Sequence, residues 1–228
     1  DQTTDTPTNN FATLNPLDKP GTGNLPNFAE GNLHYNKTAT GSGNNSQSNS
    51  TFAVDTGKWY FELKQNDANA IVVGIDFADN TGYDANGASL ARSGGGICYY
   101  HDGRKNISGT YSSYGNSWTT NDIIGVAFDL DNNFIYFSKN GTWQNSGNPE
   151  SGATGTGGIT ISTTGVLYRP GVMNNGYNST SSAFLNFGNP PYAVSDPSSD
   201  ANGYGAFDID TVPSGYYAIN TKNLAEYG

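Results

Sequence analysis

The stretch DIIGVAFDLDNNFIYFSKNGTW, residues 122–143, decides the fold of this chain. Its halves, 122–129 and 134–138, are short runs of β-branched and aromatic residues, which is the composition of β-strands. A polar turn separates the halves, and Asn140-Gly141, a pair that readily adopts positive φ, turns the chain again. The stretch therefore predicts an antiparallel strand pair. The side chains expected to face a packed layer are those of Phe128 and Phe137.

Further strand patterns lie on both sides of this stretch. GKWYFELKQ, residues 57–65, alternates large apolar residues with other side chains at period two, as a half-buried strand does. The other predicted strands lie within 28–38, 70–77, 97–100, 166–172 and 183–187. The predicted turns and loops, rich in glycine and asparagine, are 39–51, 78–96, 101–106, 108–120 and 145–165. No segment of a dozen residues has helical periodicity, so the pattern predicts an all-β sandwich or barrel.

The composition favours one folded domain that is rich in loops. The chain has 228 residues, of which 34% are hydrophobic and 13% are charged, and it contains 30 glycines. Aromatic residues reach 13%, whereas disordered chains are poor in them. The formal net charge is -10 and the ten Lys and Arg residues form no cluster, which predicts no nucleic-acid partner. No run approaches the ~20 apolar residues of a membrane helix, so no membrane insertion is expected.

Four segments in order resemble the SPRY domain family. They are GKWYFELK at 57–64, VVGI at 72–75, the stretch at 122–143, and YRPGV with AFLNFG within 168–188. Each segment alone is a weak signal, and their common order makes the resemblance specific. The resemblance covers residues 28–192 and implies a concanavalin-like sandwich of two antiparallel sheets that binds proteins through its edge loops.

The segments outside this resemblance are expected to be arms of the sandwich. Residues 1–27 are rich in proline and are predicted to be an extended N-terminal arm on the surface, and residues 193–228 are predicted to be a C-terminal tail packed on the sandwich. FATLNPLDKP and GYYAINTKNLAEYG resemble segments that bracket SPRY-like domains in structural proteins of tailed phages. This second resemblance implies a place on the virion surface, as a receptor-binding fibre or a capsid decoration. It also implies a homo-oligomer or attachment to other particle proteins.

The carboxylate pair needed for glycoside hydrolysis is missing from the predicted strands. Hydrolases of concanavalin-like shape carry it at alternate positions of one strand, typically as Glu-x-Asp-x-Glu. Glu62 stands alone in its strand, and its alternating neighbours are Tyr60 and Lys64. We interpret Glu62 as a partner for a lysine or a backbone amide, and we expect no enzymatic activity.

Nucleophilic and metal sites also lack the residues that they need. The two histidines, His34 and His101, lie far apart in the sequence, and Cys98 is expected to be a small buried side chain. Three unclustered residues of this kind do not make a zinc site. The runs 129–132 and 200–203 offer oxygen ligands for calcium, but turn formation explains their Asp and Asn residues. No metal and no cofactor are expected.

The predicted loops 78–96, 99–118 and 143–160 combine Tyr, Trp and Arg with Ser, Gly and Asn. Tyr, Trp and Arg are enriched at binding hot spots, and Tyr among small polar residues is typical of antibody loops. The predicted contacts for a protein or a cell-surface glycan are Tyr83, Arg92, Tyr100, Arg104, Tyr111 and Tyr114. The aromatic residues expected to be buried are Trp118 and Trp143, which flank the central hairpin.

Three functions remain open on the sequence. The first is a non-enzymatic binding or structural module of a phage particle. The second is a carbohydrate-binding lectin on the same fold, which needs aromatic rings and Asp or Asn side chains around a shallow groove. The third, a glycan hydrolase, is disfavoured because the carboxylate pair is missing. The sequence does not decide the ligand, the choice between protein and sugar, or the oligomeric state.

Overall fold

Two β-sheets packed face to face form the domain. In the computed structural model the described residues are 5–18, 26–38, 46–67, 70–79, 90, 96–175, 180–209 and 211–228. Strands are numbered in chain order. The strands are short, as the many glycine and asparagine turns predict, and all but one of the pairings are antiparallel. The expectation of an all-β, two-sheet sandwich is confirmed.

The larger sheet has nine strands among the described residues. In spatial order its main path is β1 (Asn27–Ala29), β2 (His34–Lys37), β14 (Ser181–Asn186), β4 (Lys58–Gln65), β9 (Ile123–Asp129), β10 (Phe134–Lys139) and β11 (Thr142–Trp143). The remaining two are β12 (Ile159–Thr160), beside β10, and β15 (Tyr217–Ala218), parallel to β4. The predicted hairpin is β9–β10, which lies between β4 and β11 in this sheet.

The smaller sheet has six strands among the described residues. Their order is β3 (Gln47–Asn49), β13 (Tyr168–Asn174), β5 (Ile71–Phe77), β6 (Ile97–Tyr100), β7 (Arg104–Ile107) and β8 (Thr110–Ser113). The predictions of a turn at 101–106 and a loop at 108–120 were wrong at β7 and β8. These two strands lie at the edge of the sheet, where side chains are half exposed and the period-two apolar pattern is absent.

Helical structure is limited to short segments in the described part of the chain. Two 3₁₀ segments, Gln144–Ser146 and Pro149–Thr154, follow β11, and α1 (Thr221–Tyr227) lies in the tail. The side chain of Asn220 caps α1 by accepting from the backbone N–H groups of Lys222 and Asn223. None of the helices in the described residues is long and apolar enough to span a bilayer.

The core lies between the inner faces of the two sheets. Trp59, Phe61 and Leu63, the alternating residues of β4, pack there with β5 and with the hairpin. Phe128 and Phe137 are both fully buried in this core, which confirms that they face a packed layer. Trp118 is buried as expected, whereas Trp143 is only half buried.

The N-terminal arm does not lie wholly on the surface, because some of its side chains are buried. Phe11, Ala12 and Leu14 are buried, although the polar residues around them hide this in the sequence. The backbone N–H of Ala12 donates to the carbonyl oxygen of Ile219 at 2.9 Å. The backbone N–H of Thr221 donates to the carbonyl oxygen of Asn10 at 3.0 Å. The arm and the tail are therefore paired with each other; we name this pairing the clasp.

The C-terminal tail covers the outer face of the larger sheet. Phe207, Ile209, Val212 and Tyr216 from the tail form a buried cluster with Tyr60, Ala127 and Tyr136 from the sheet and Phe11 from the arm. We name this cluster the tail-covered face. Its burial closes a surface that would otherwise expose aromatic rings to water.

Candidate binding surface

Glu62 is buried beneath the tail and holds it through hydrogen bonds. The backbone N–H of Asp208 donates to Oε2 of Glu62 at 2.9 Å, and that of Ile209 donates to Oε1 at 3.0 Å. The side chains of Tyr60 and Asn186 donate to the same carboxylate at 3.1 and 2.9 Å. Burial raises the pKa of Glu62 to about 7, although these hydrogen bonds act to lower it. The interpretation of Glu62 as a partner for backbone amides is confirmed.

The structure brings a serine and a histidine together, which the sequence analysis missed. Nε2 of His34 lies 2.8 Å from Oγ of Ser182, on neighbouring strands β2 and β14. The amide of Asn66 donates to the same hydroxyl at 3.0 Å. Burial lowers the pKa of His34, and the nearby charge of Glu30 partly opposes this. Catalysis by such a pair also needs an orienting group and donors for an oxyanion. Within the described chain no carboxylate is hydrogen-bonded to His34, so we interpret the contact as a bridge between strands.

The remaining nucleophilic and metal candidates have structural roles. Cys98 is fully buried, as expected, and burial raises the pKa of its thiol. The carboxylate of Asp200 accepts from the backbone N–H groups of Asn202, Tyr204 and Ala218 and from the side chain of Asn223. Asp129 accepts two hydrogen bonds from Asn132. Across the described ranges, no three His, Cys, Asp or Glu side chains are grouped as metal ligands would be.

Arg104 and Tyr111 form an exposed pair at the open edge of the smaller sheet. The Cζ atom of Arg104 lies 5.1 Å from the ring centre of Tyr111 and 5.9 Å from that of Tyr100. Nη2 and Nε of Arg104 bind Oδ2 of Asp102 at 2.6 and 2.8 Å. The hydroxyl groups of Tyr100 and Tyr111 lie 3.0 Å apart. We name these four residues the tyrosine–arginine edge.

The members of the tyrosine–arginine edge differ in exposure. The side chain of Arg104 is 47% exposed and Tyr111 is 46% exposed, whereas Tyr100 is 1% exposed. Tyr100 packs with Cys98 and Met173 beneath the surface. The hydrogen bonds to Asp102 raise the pKa of Arg104, so the guanidinium remains charged at every ordinary pH. Arg104 and Tyr111 can therefore touch a partner, and Tyr100 and Asp102 hold them in place.

Tyr114, predicted to act with these residues, lies on the other side of the smaller sheet. Its ring meets the rings of Tyr99 and Phe137 edge to face at 5.3 and 5.9 Å, and burial raises its pKa to about 12. Beside it opens a groove of about 500 Å³ between residues 113–116 and 143–146. The structure thus divides the predicted contact residues between the edge and the groove. The predicted contacts Tyr83 and Arg92 lie outside the described residues.

Comparisons with known proteins agree with this fold. The family model described as the SPRY domain matches residues 58–157, which run from β4 to the second 3₁₀ segment and include the tyrosine–arginine edge. The crystal structure of the SPRY domain of human HERC1 superposes with a TM-score of 0.56 at 16% identity, covering 75% of this chain and 96% of that one. The stonustoxin structure gives a TM-score of 0.55 at 16% identity, covering 77% of this chain and 27% of that one.

One curated relative also matches by sequence. An ATP-dependent RNA helicase, DDX1 of Xenopus laevis, is 33% identical over 92 residues, which are 40% of this chain and 12% of the helicase. The shared region is thus a small part of that enzyme. SPRY domains are in general non-catalytic modules that bind protein partners through loops. The SPRY family model thus matches the central part of this chain, and the two superposed structures share its two-sheet fold.

Proposed function

We propose that this domain is a non-catalytic protein-binding module and that its contact surface is the tyrosine–arginine edge. The observation that carries the proposal is the position of Arg104, which is held by two tyrosine rings and a carboxylate yet is half exposed. Arginine and tyrosine in such surroundings are typical of the few residues that supply most of the energy of an interface.

The fixed geometry of the pair lowers the cost of binding. A free arginine or tyrosine loses about 0.5–1.5 kcal/mol of conformational entropy when an interface immobilises it. Arg104 is already fixed by Asp102, and Tyr111 by the hydroxyl of Tyr100. A partner therefore meets a surface that is largely ordered before contact.

The backbone of β8 gives a partner a second kind of contact. The N–H of Tyr114 donates to the carbonyl oxygen of Gly103 at 3.1 Å, and hydrogen bonding alternates along an antiparallel strand. The N–H and C=O groups of Tyr111 and Ser113 therefore face away from β7. Among the described strands β8 has no other neighbour, so an extended segment of a partner can add to the sheet beside the exposed rings.

A peptide-display selection against the intact domain tests this proposal. The variant Tyr111→Ala is expected to weaken binding of the selected peptides about thirtyfold, which corresponds to about 2 kcal/mol. Leu167→Ala is the matched control, because Leu167 is 49% exposed but lies away from this edge. The proposal fails if the selected peptides bind Tyr111→Ala and Leu167→Ala as tightly as the parent.

We also propose that the domain is carried on a phage particle, as a receptor-binding fibre or a capsid decoration at the virion surface. Two features support this: the flanking segments FATLNPLDKP and GYYAINTKNLAEYG, and a composition with 30 glycines but only ten Lys and Arg. The expected result is that tail or capsid genes adjoin the coding gene and that mass spectrometry finds the chain in purified particles. Neighbouring genes without particle proteins, together with particles that lack the chain, would refute it.

A further inference from the structure

The groove between residues 113–116 and 143–146 is chemically unlike the tyrosine–arginine edge. Its volume of about 500 Å³ is in the range of small-molecule sites. None of its eight lining residues is charged, and two, Tyr114 and Trp143, are aromatic. The others supply amides, hydroxyls and backbone. A ligand that fits this lining is neutral, carries many hydrogen-bonding groups and has an apolar face.

Several polar side chains of the groove have no hydrogen-bond partner among the described residues. No side-chain hydrogen bond joins Asn116, Ser146 or the indole Nε1 of Trp143 to another described residue, while the backbone of Asn116 is fully used. Asn116 and Ser146 are exposed and Trp143 is half buried. Amides offer donors and acceptors together, hydroxyls offer both, and an indole offers a donor. These unused groups match the alternating donors and acceptors of sugar hydroxyls.

The walls of the groove are held rigidly. Oε1 of the buried Gln144 accepts from the backbone N–H of Asn116 at 2.9 Å, which fixes the two walls together. A Cβ at Gly115 would lie 2.7 Å from that same oxygen, so only glycine allows this approach. Asn145 and Ser146 both have positive φ, and Nδ2 of Asn145 donates to the carbonyl oxygen of Gly157 at 3.1 Å. The groove thus loses little freedom when a ligand enters.

We propose that this groove binds a short neutral oligosaccharide, with Trp143 and Tyr114 beside the sugar rings and Asn116 and Ser146 bonded to the hydroxyls. A phosphate, a nucleotide or an acidic glycan would find no cation among the lining residues, although Nζ of Lys105 lies 5.5 Å from the ring centre of Tyr114. A lipid would leave the amides unpaired. The proposal is independent of the protein-binding surface, because none of the eight lining residues belongs to the tyrosine–arginine edge.

The indole N–H resonances of the three tryptophans give a direct test in nuclear magnetic resonance spectra of the ¹⁵N-labelled domain. Nε1 of Trp59 donates to the carbonyl oxygen of Thr56, and Nε1 of Trp118 to that of Tyr100, so both are internal controls. The probes are tetrasaccharides of the malto, cello, manno, galacto and chito series at millimolar concentration. At least one is expected to shift the Trp143 resonance and to leave the other two in place.

Variants then separate this site from the tyrosine–arginine edge. Asn116→Ala, which removes an exposed amide, is expected to weaken the active tetrasaccharide about fivefold, the effect of one lost hydrogen bond. Tyr111→Ala is expected to leave sugar binding unchanged while it weakens peptide binding. The proposal is overturned if no tetrasaccharide shifts Trp143, if Trp118 shifts equally, or if Asn116→Ala and Ser146→Ala both bind with the parent affinity.

Discussion

The outer faces of the two sheets carry similar side chains, but the tail covers one face and the edge of the other remains exposed. The larger sheet presents Tyr60 and Tyr136, and the tail buries both. The smaller sheet presents Tyr100 and Tyr111 at its edge, and Tyr111 remains 46% exposed. On the covered face the buried carboxylate of Glu62 holds the backbone of the tail. On the open edge the partly exposed carboxylate of Asp102 fixes the charged side chain of Arg104.

This difference indicates that the covered face contributes mainly to folding stability and the open edge mainly to partner binding. A covered aromatic face contributes the free energy of burying apolar area, so its residues should be costly to truncate. An open edge contributes little to folding, and an exposed aromatic residue such as Tyr111 is available to a partner. Variants on the two sides should therefore change different measured quantities.

The largest expected effect is on the covered face. Phe207→Ala removes a fully buried ring that meets Tyr60 at 5.1 Å, and Phe to Ala changes in cores cost about 3–5 kcal/mol. Urea unfolding measures this loss, with Leu167→Ala as the exposed control. If Phe207→Ala unfolds at the parent midpoint, the tail does not seal the sheet in the way that the contacts indicate.

A pH effect of intermediate size is expected at Glu62. Its pKa is about 7 in the folded protein against an ordinary value of 4.5, so the folded state binds a proton more tightly than the unfolded state. This contribution to stability is fully present below pH 4.5 and is lost as the pH rises through about 7, for a total of about 3 kcal/mol. The Tyr60 hydroxyl can reverse its hydrogen bond to accept from the protonated acid, so the neutral form keeps its partners.

Unfolding free energies measured across this pH window check the Glu62 prediction against Glu62→Gln. Burial lowers the pKa of His34 and His101, which acts in the opposite direction by reducing stability at acid pH. The two histidines are common to both proteins, so the difference between them isolates Glu62. An equal pH dependence in the parent and in Glu62→Gln would show that the carboxyl does not titrate between these values.

The smallest expected effect is on the stability of the open edge. Tyr111→Ala should change the free energy of unfolding by no more than about 0.5 kcal/mol, as exposed positions usually do. Thermal unfolding of Tyr111→Ala and Phe207→Ala, measured together, compares the loss of stability at the open edge with that at the covered face. A loss above about 2 kcal/mol would mean that Tyr111 is part of the fold and that lost peptide binding in this variant is not evidence of contact.

The hairpin and the inner core could be predicted because their signals are local. Period-two alternation in β4 and the apolar runs of β9 and β10 are visible within a few residues. The partners of Glu62 could not be predicted, since Asp208 and Ile209 lie 146 and 147 residues away along the chain. Long-range contacts of this kind have no sequence period.

The placement of Tyr111 at the edge and of Tyr114 at the groove could have been predicted from a turn signal in the sequence. Ser108 and Gly109 both adopt positive φ in the turn between β7 and β8, and a Ser-Gly pair between short polar runs is a hairpin signal. Had β8 been recognised, the odd separation of Tyr111 and Tyr114 would have placed them on opposite faces. The groove itself could not have been found, because its second wall comes from residues 143–146.

The clasp has a consequence for how the domain carries load. Asn10 and Ala12 pair with Thr221 and Ile219 in antiparallel order, so a pull at Asn10 and Thr221 acts at one end of this pairing. The hydrogen bonds then break one at a time, as in opening a zipper, rather than together as in shear. Under tension applied at Asn10 and Thr221 the clasp would open, and this segment would lengthen, before force reached the strands that hold the binding surfaces.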